Sequence, residues 1–190
     1  ILEPRDEKRD LTNLYKTLAN AEKPLLLFGG GIYSSHTVEL AKKFTNFLKT
    51  PAIHSLMGLG TIESSSPYNA GFLGSYGNRW TNLCIGEADF LLVLGSRLDI
   101  RQTGNDTAGF IGSKKIFHVD IDQSEQNYSI QDFTCLYSHL HSFFEDSIDL
   151  LENEPSFIDF TASKLAKIKA IPKAIDFVVP IRGTISLAVI

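Results

Sequence analysis

Lys23-Pro24-Leu25-Leu26-Leu27-Phe28-Gly29-Gly30-Gly31 is a short apolar run closed by proline on one side and glycine on the other. An uninterrupted run of this length, without polar alternation, suits a strand buried on both faces. Ser34 and Ser35 follow, then an amphipathic helix to about Leu48. Its apolar face is Val38, Ala41, Phe44 and Leu48, with Leu40 and Phe47 beside it. Strand, glycine turn and helix form the repeating unit of a parallel sheet. The glycines allow close backbone approach to a phosphate, and the next helix would offer N–H groups and a positive dipole end. The turn reads equally as a tight connection with no ligand, because Ser34 stands where a GxGxxG pattern has its third glycine.

The same alternation extends in both directions. Leu11, Leu14, Tyr15, Leu18 and Ala19 have helical spacing over residues 11–21, with Asp10 as the expected N-cap. Pro51-Ala52-Ile53-His54-Ser55 reads as a second strand, and residues 57–77 read as a glycine-rich loop. A helix is expected over 78–88, then buried strands over 89–94 and 115–119, a further strand over 133–137 and a closing helix over 139–152. Strands alternating with helices imply a doubly covered parallel sheet. Residues 1–10 are charged and contain Pro4, so they read as a linker; residues 11–153 form the domain, and 154–190 read as a tail or a linker onward. Within that tail, residues 160–170 have helical spacing, with Lys164, Lys167 and Lys169 on the solvated side.

A net charge of −4 provides no basic footprint for nucleic acid. The apolar residues near the C-terminus are interrupted by Pro180, Arg182 and Gly183, which argues against a membrane span. Cys84 and Cys135 are far apart and form no CxxC, so they read as small core residues in a reducing, cytoplasmic compartment. The chain starts at Ile1 without a basic-then-apolar signal segment; its ends are expected to be cuts in a longer polypeptide or the result of processing.

Ligands of open parallel sheets bind beyond the carboxyl ends of the strands. Four segments fall there: the glycine turn, residues 55–60, the loop Gly95-Ser96-Arg97-Leu98-Asp99-Ile100-Arg101-Gln102-Thr103-Gly104, and Asp120-Ile121-Asp122. Arg97 and Arg101 could hold a pyrophosphate or stack on a flat ring, since guanidinium is planar and rich in donors. Asp99 could orient one of them or accept from a hydroxyl. A carboxylate at Asp120 suits ribose or ribityl hydroxyls, whereas Asp122 reads as the N-cap of a helix starting near Ser124. His36, His54 and His118 are isolated and read as structural. The sequence has no nucleophile elbow, no HExxH and no Walker A lysine, so no catalytic residue and no metal ligand is assigned.

Taken in order, Lys23 to Gly31, Ser55-Leu56-Met57-Gly58-Leu59-Gly60, Gly74-Ser75-Tyr76-Gly77, the stretch from Ala88 to Arg97 with Asp99, Arg101, Thr103 and Gly104, and His118-Val119-Asp120-Ile121-Asp122 resemble the central domain of thiamine-diphosphate enzymes of the acetolactate synthase type. The resemblance covers residues 21–124, with a weaker helical continuation to 152. It implies a Rossmann-like, DHS-like NAD/FAD-binding α/β fold with about six parallel strands and helices on both faces. It also implies a parent enzyme that joins or decarboxylates 2-oxo acids with thiamine diphosphate and Mg²⁺, both held by separate pyrimidine-binding and diphosphate-binding domains. The Gly-Asp-Gly motif of the diphosphate-binding domain does not occur in this sequence, so the domain alone is expected to be inactive, working with those partner domains in a homo-oligomer.

Some members of the family bind FAD in this domain and others keep the fold without it. By resemblance, FAD would contact Gly30, Gly31, Ser55, Leu56, Met57, Leu73, Gly74, Ser75, Tyr76, Gly95, Ser96, Arg97, Asp99, Arg101, Asp120 and Ile121. Two positions depart from the flavin-binding pattern. Ser75-Tyr76 stand where Met-His is frequent, and Tyr137-Ser138 where Gly-Asp is. The alternative expectation is a freestanding nucleotide-binding accessory subunit, as in the small subunit of the acetyl-CoA decarbonylase/synthase complex. A sirtuin-type deacylase, whose sheet is similar, is disfavoured because two separated cysteines cannot supply its four zinc thiolates.

Overall fold

The computed structural model describes residues 7–122 and 134–154. Helix α1 (Glu7–Asn20) leads into strand β1 (Pro24–Phe28). A four-residue turn of helix, α2 (Gly31–Ser34), precedes α3 (Val38–Leu48) and β2 (Ala52–His54). A 3₁₀ turn at Leu56–Gly58 and strand β3 (Asn69–Phe72) come next. Then follow α4 (Arg79–Glu87), β4 (Phe90–Leu94), α5 (Ile100–Thr103), α6 (Thr107–Ile111) and β5 (Lys115–Asp120). Strand β6 (Thr134–Tyr137) and helix α7 (Leu140–Asn153) complete the described chain.

The six strands form one parallel sheet in the order β3-β2-β1-β4-β5-β6. The chain runs outward from β1 to one edge, then returns to the other side of β1 at β4. The boundary between β1 and β4 is therefore the topological switch point, where ligands of such sheets enter. Every residue of β1 and of β4 is buried, as their unbroken apolar sequence requires.

Alternate residues of the strands feed two cores. On one face Leu26, Phe28, Leu92, Leu94, Phe117 and Val119 pack with α1, α3 and α7. Phe44 of α3 meets Phe143 and Phe144 of α7 edge-on, with ring centroids 6.0 and 5.3 Å apart, a favoured aromatic geometry. On the other face Leu25, Leu27, Ile53, Leu91, Val93 and Ile116 pack with Ile85 and Ala88. Fully burying one such aliphatic side chain contributes about 1.5–3 kcal/mol, so both helical layers are held by the sheet itself.

Three local expectations need correction. Helix α1 begins at Glu7, so Asp10 lies inside it and is not the N-cap. The helix after the glycine turn is broken at His36, whose φ is +56°, so only the short α2 adjoins the turn. Residues 57–77 are not all loop, because β3 lies within them. Asn69-Ala70-Gly71-Phe72 is a poor apolar run, and side-chain hydrogen bonds support it as an edge strand. Gly71 N–H donates to Asn69 Oδ1 (2.9 Å), Phe72 N–H to Asn78 Oδ1 (3.0 Å), and Thr81 Oγ1 to the Ala70 carbonyl (2.6 Å). The expected Asp122 cap for a helix near Ser124 and the expected helix over 160–170 lie outside the described residues. Among the described residues no helix is long and apolar enough to cross a membrane.

Candidate functional site at the carboxyl edge of the sheet

Because all six strands are parallel, the loops after β1, β2, β3, β4 and β5 emerge at one edge. The first four begin by continuing the sheet ladder. Gly29 N–H donates to the Leu94 carbonyl (2.9 Å), Ser55 N–H to Phe28 (2.9 Å), Leu73 N–H to His54 (2.8 Å) and Gly95 N–H to Val119 (3.1 Å). All the site segments expected from sequence are thus brought together.

The glycine turn does not act as a free phosphate cradle. Gly31 N–H donates to the Gly95 carbonyl (2.9 Å), Ile32 N–H to Gly29 (3.3 Å) and Tyr33 N–H to Gly30 (3.1 Å). A β-carbon on Gly31 would lie 2.7 Å from Gly95 Cα, and one on Gly29 would collide with the Gly95 carbonyl. These glycines let the loops after β1 and β4 touch at the switch point. Gly30 differs: its backbone approaches Met57, whose Cβ would lie 2.9 Å from an added β-carbon.

The loop after β4 is rigidly built. Leu98 is buried with φ +52°, a conformation that costs a non-glycine residue energy and persists only when its surroundings enforce it. Asp99 Oδ1 accepts from the Arg101 backbone N–H (2.9 Å), so Asp99 caps α5 and does not pair with the Arg101 guanidinium. Arg101 and Arg97 are both exposed. Ser96 is buried and its hydroxyl donates to Gln102 Oε1 (2.8 Å). The Arg101 carbonyl accepts from Ser75 N–H (2.8 Å) and Ser75 Oγ (3.3 Å). Asn82 Oδ1 accepts from Gly74 N–H and Asn82 Nδ2 donates to the Gly74 carbonyl, both at 3.1 Å. Asn82 and Gln102 are the positioning residues that sequence reasoning missed. The available signal was weak: two carboxamides lying close to glycine turns.

Asp120 ends β5 with Oδ1 accepting from Asp122 N–H (3.0 Å) and Oδ2 3.9 Å from Nε2 of the buried His118. His54 accepts the Ile62 N–H at Nε2 (3.3 Å), so its Nδ1 carries the proton and donates to the Gly71 carbonyl (3.0 Å). Burial lowers the His54 pKa, keeping the ring neutral. The thiols of Cys84 and Cys135 are pushed upward by burial, as suits core residues.

The surface of this edge is unusually apolar. Tyr33, Leu56, Met57, Leu59, Tyr76, Ile100 and Ile121 are seven of the eight large hydrophobic residues exposed among the described residues, and all seven lie in these loops. Met57 is 72% and Tyr76 78% exposed. Such patches mark ligand or protein contacts.

The sequence profile of the family "Thiamine pyrophosphate enzyme, central domain" matches residues 11–144. The chain is similar to the acetolactate synthase isozyme 2 large subunit of Escherichia coli K12, at 36% identity over 66% of this chain and 23% of that protein. It is also similar to the isozyme 1 large subunit of the same organism, at 36% identity over 71% of this chain and 24% of that protein. A probable chloroplastic acetolactate synthase 2 of Oryza sativa subsp. japonica is 33% identical over 84% of this chain and 25% of that protein. The chain thus spans about a quarter of the length of these relatives. It belongs to the thiamine pyrophosphate enzyme central-domain family, as the central domain of an acetolactate synthase-like member.

Proposed function

We propose that this domain serves a thiamine-diphosphate- and Mg²⁺-dependent enzyme that joins or decarboxylates 2-oxo acids, and that it holds FAD along the carboxyl edge of its sheet. The observation that carries the flavin reading is the exposed apolar rim of Met57, Tyr76 and Ile121 at the same sheet edge as the exposed Arg97 and Arg101 of the segment after β4. A flat ring system needs apolar walls, and a diphosphate needs cations.

The donor set fits FAD in an altered way. Since Gly29 and Gly31 use their N–H groups internally, Arg97 and Arg101 would carry the diphosphate. Gly30 and Ser55 to Met57 would form one wall, and Gly74 to Tyr76 the other. Gly95, Ser96 and Asp99 would fix the floor, and Asp120 with Ile121 would meet ribose or ribityl hydroxyls. Bound there, FAD would supply a rigid wedge at a domain boundary.

The apolar rim also suits contact with the pyrimidine-binding and diphosphate-binding domains, and with a second subunit in a homo-oligomer. In this reading the domain contributes support and cofactor binding, without turnover of its own, in a cytoplasmic enzyme. Supplying thiamine diphosphate, Mg²⁺ and pyruvate tests it. CO₂ release is expected from a polypeptide that also carries both partner domains and not from this domain alone; turnover by the domain alone contradicts the reading.

A further inference from the structure

A groove of about 320 Å³ lies between α4 and the α5–α6 pair, at the lower end of small-molecule sites. Its chemistry is one-sided. Arg101 and Lys114 line it, none of its lining residues is a carboxylate, and Leu73, Ile85 and Phe110 give it an apolar wall.

Lys114 is only 7% exposed. Its ammonium donates to the Phe110 carbonyl (2.6 Å) and the Ile111 carbonyl (3.4 Å) at the end of α6, and sits 5.7 Å from the centroid of the Phe110 ring. An ammonium has three donors, so these two carbonyls do not exhaust it, and Lys114 lines the groove. No carboxylate among the described residues pairs with Lys114 or with the Arg101 side chain. Burial disfavours the charged form of Lys114 and lowers its pKa; a neighbouring anion would offset that cost.

Gly86 gives an independent indication. It lies in the last turn of α4, where glycine is a poorer helix former than alanine. A β-carbon there would meet nothing within 4 Å, so no close contact demands a glycine. Gly86 faces the groove and leaves it wide on that bank. Gly104 on the opposite bank is a glycine for another reason, its φ of +74° at the end of α5.

We propose that this groove binds a small organic anion, its carboxylate or phosphate head on Lys114 and Arg101 and its short apolar body against Ile85 and Phe110. The proposal does not rest on the flavin reading. The two share Gly74, Ser75 and Arg101 along one side of the groove, but Gly86, Phe110 and Lys114 belong to this site alone.

The test is amide NMR of the full chain titrated with hexanoate, with butyl phosphate and with neutral hexanamide at constant ionic strength. Saturable shifts at Gly86, Phe110 and Lys114 are expected with at least one of the anions, and which anion binds tells carboxylate from phosphate. Lys114→Met should weaken that binding about tenfold, the scale of one charge-assisted hydrogen bond. Gly86→Leu, which fills the groove from an open helix surface, should abolish it even where Lys114→Met folds poorly. Neither variant should alter FAD uptake, so failure here is distinguishable from failure of the flavin site. Absence of saturable shifts with both anions, equal binding of hexanamide, or unchanged binding in Gly86→Leu would overturn the proposal.

Discussion

Gly31 N–H donates to the Gly95 carbonyl at 2.9 Å, which holds the loops after β1 and β4 in direct contact at the switch point. A β-carbon on Gly31 would come within 2.7 Å of Gly95 Cα, a backbone atom that cannot move aside cheaply. Gly31→Ala should therefore destabilise the domain by about 1–3 kcal/mol, as other overpacked sites do. Gly86→Ala should have the opposite sign, stabilising α4 by about 1 kcal/mol, because nothing surrounds that position. Urea unfolding of both variants checks the pair, and a shift of the same sign in both would contradict the packing described.

The Asn82 carboxamide pairs with both backbone groups of Gly74, whose φ is +116°. Asn82→Ala should cost about 1 kcal/mol of stability, the ordinary net worth of such hydrogen bonds. It should also release the loop carrying Ser75 and Tyr76 from its position beside Arg101. Faster amide exchange at Gly74 and Ser75, with exchange in β1 little changed, is the expected signature.

His54 gives the fold a pH dependence of defined sign. Its ring is neutral when folded, and burial holds its pKa below the ordinary histidine value of about 6.5. Between the folded value and about 6.5 the unfolded chain binds more protons. This contribution is complete above about pH 6.5 and is lost as pH falls toward the folded pKa. Protonation removes the acceptor for Ile62 N–H. Urea midpoints measured across that window should fall on acidification, and His54→Asn should flatten the fall. An equal slope in the variant would show that His54 is not the titrating group.

The sheet was legible where physical chemistry is local. Leu25 to Phe28 and Phe90 to Leu94 are buried on both faces, and their sequence says so by having no polar alternation. Strand β3 was not legible, because Asn69, Asn78 and Thr81 hold it through side chains that read as loop chemistry. At the site, the segments were visible as glycine-rich ends of strands, but the use of their N–H groups was not. Whether Gly31 N–H faces a phosphate or the Gly95 carbonyl depends on a contact 64 residues away in the chain (Gly31 to Gly95), which no local pattern encodes. The bonds from Asn82 to Gly74 and from Ser96 to Gln102 span only eight and six residues, but they depend on how each loop folds back on itself, which no motif marks.

The proposed use of Arg97 and Arg101 for the diphosphate leads to a distinct mutational result. Arg101→Met should weaken FAD binding about tenfold or more, the scale of a lost charge-assisted contact. The same substitution should leave stability nearly unchanged, because its exposed guanidinium pairs with no carboxylate among the described residues. Flavin fluorescence titration together with urea unfolding separates the two effects.

The most direct measurement is the flavin spectrum of the purified chain after incubation with FAD and gel filtration. FAD should co-elute at one equivalent per chain, with its visible absorbance bands shifted from those of free FAD, and Arg97→Met with Arg101→Met should abolish the co-elution. A colourless chain under saturating FAD, or retention of FAD by the double variant at full strength, would contradict the flavin reading.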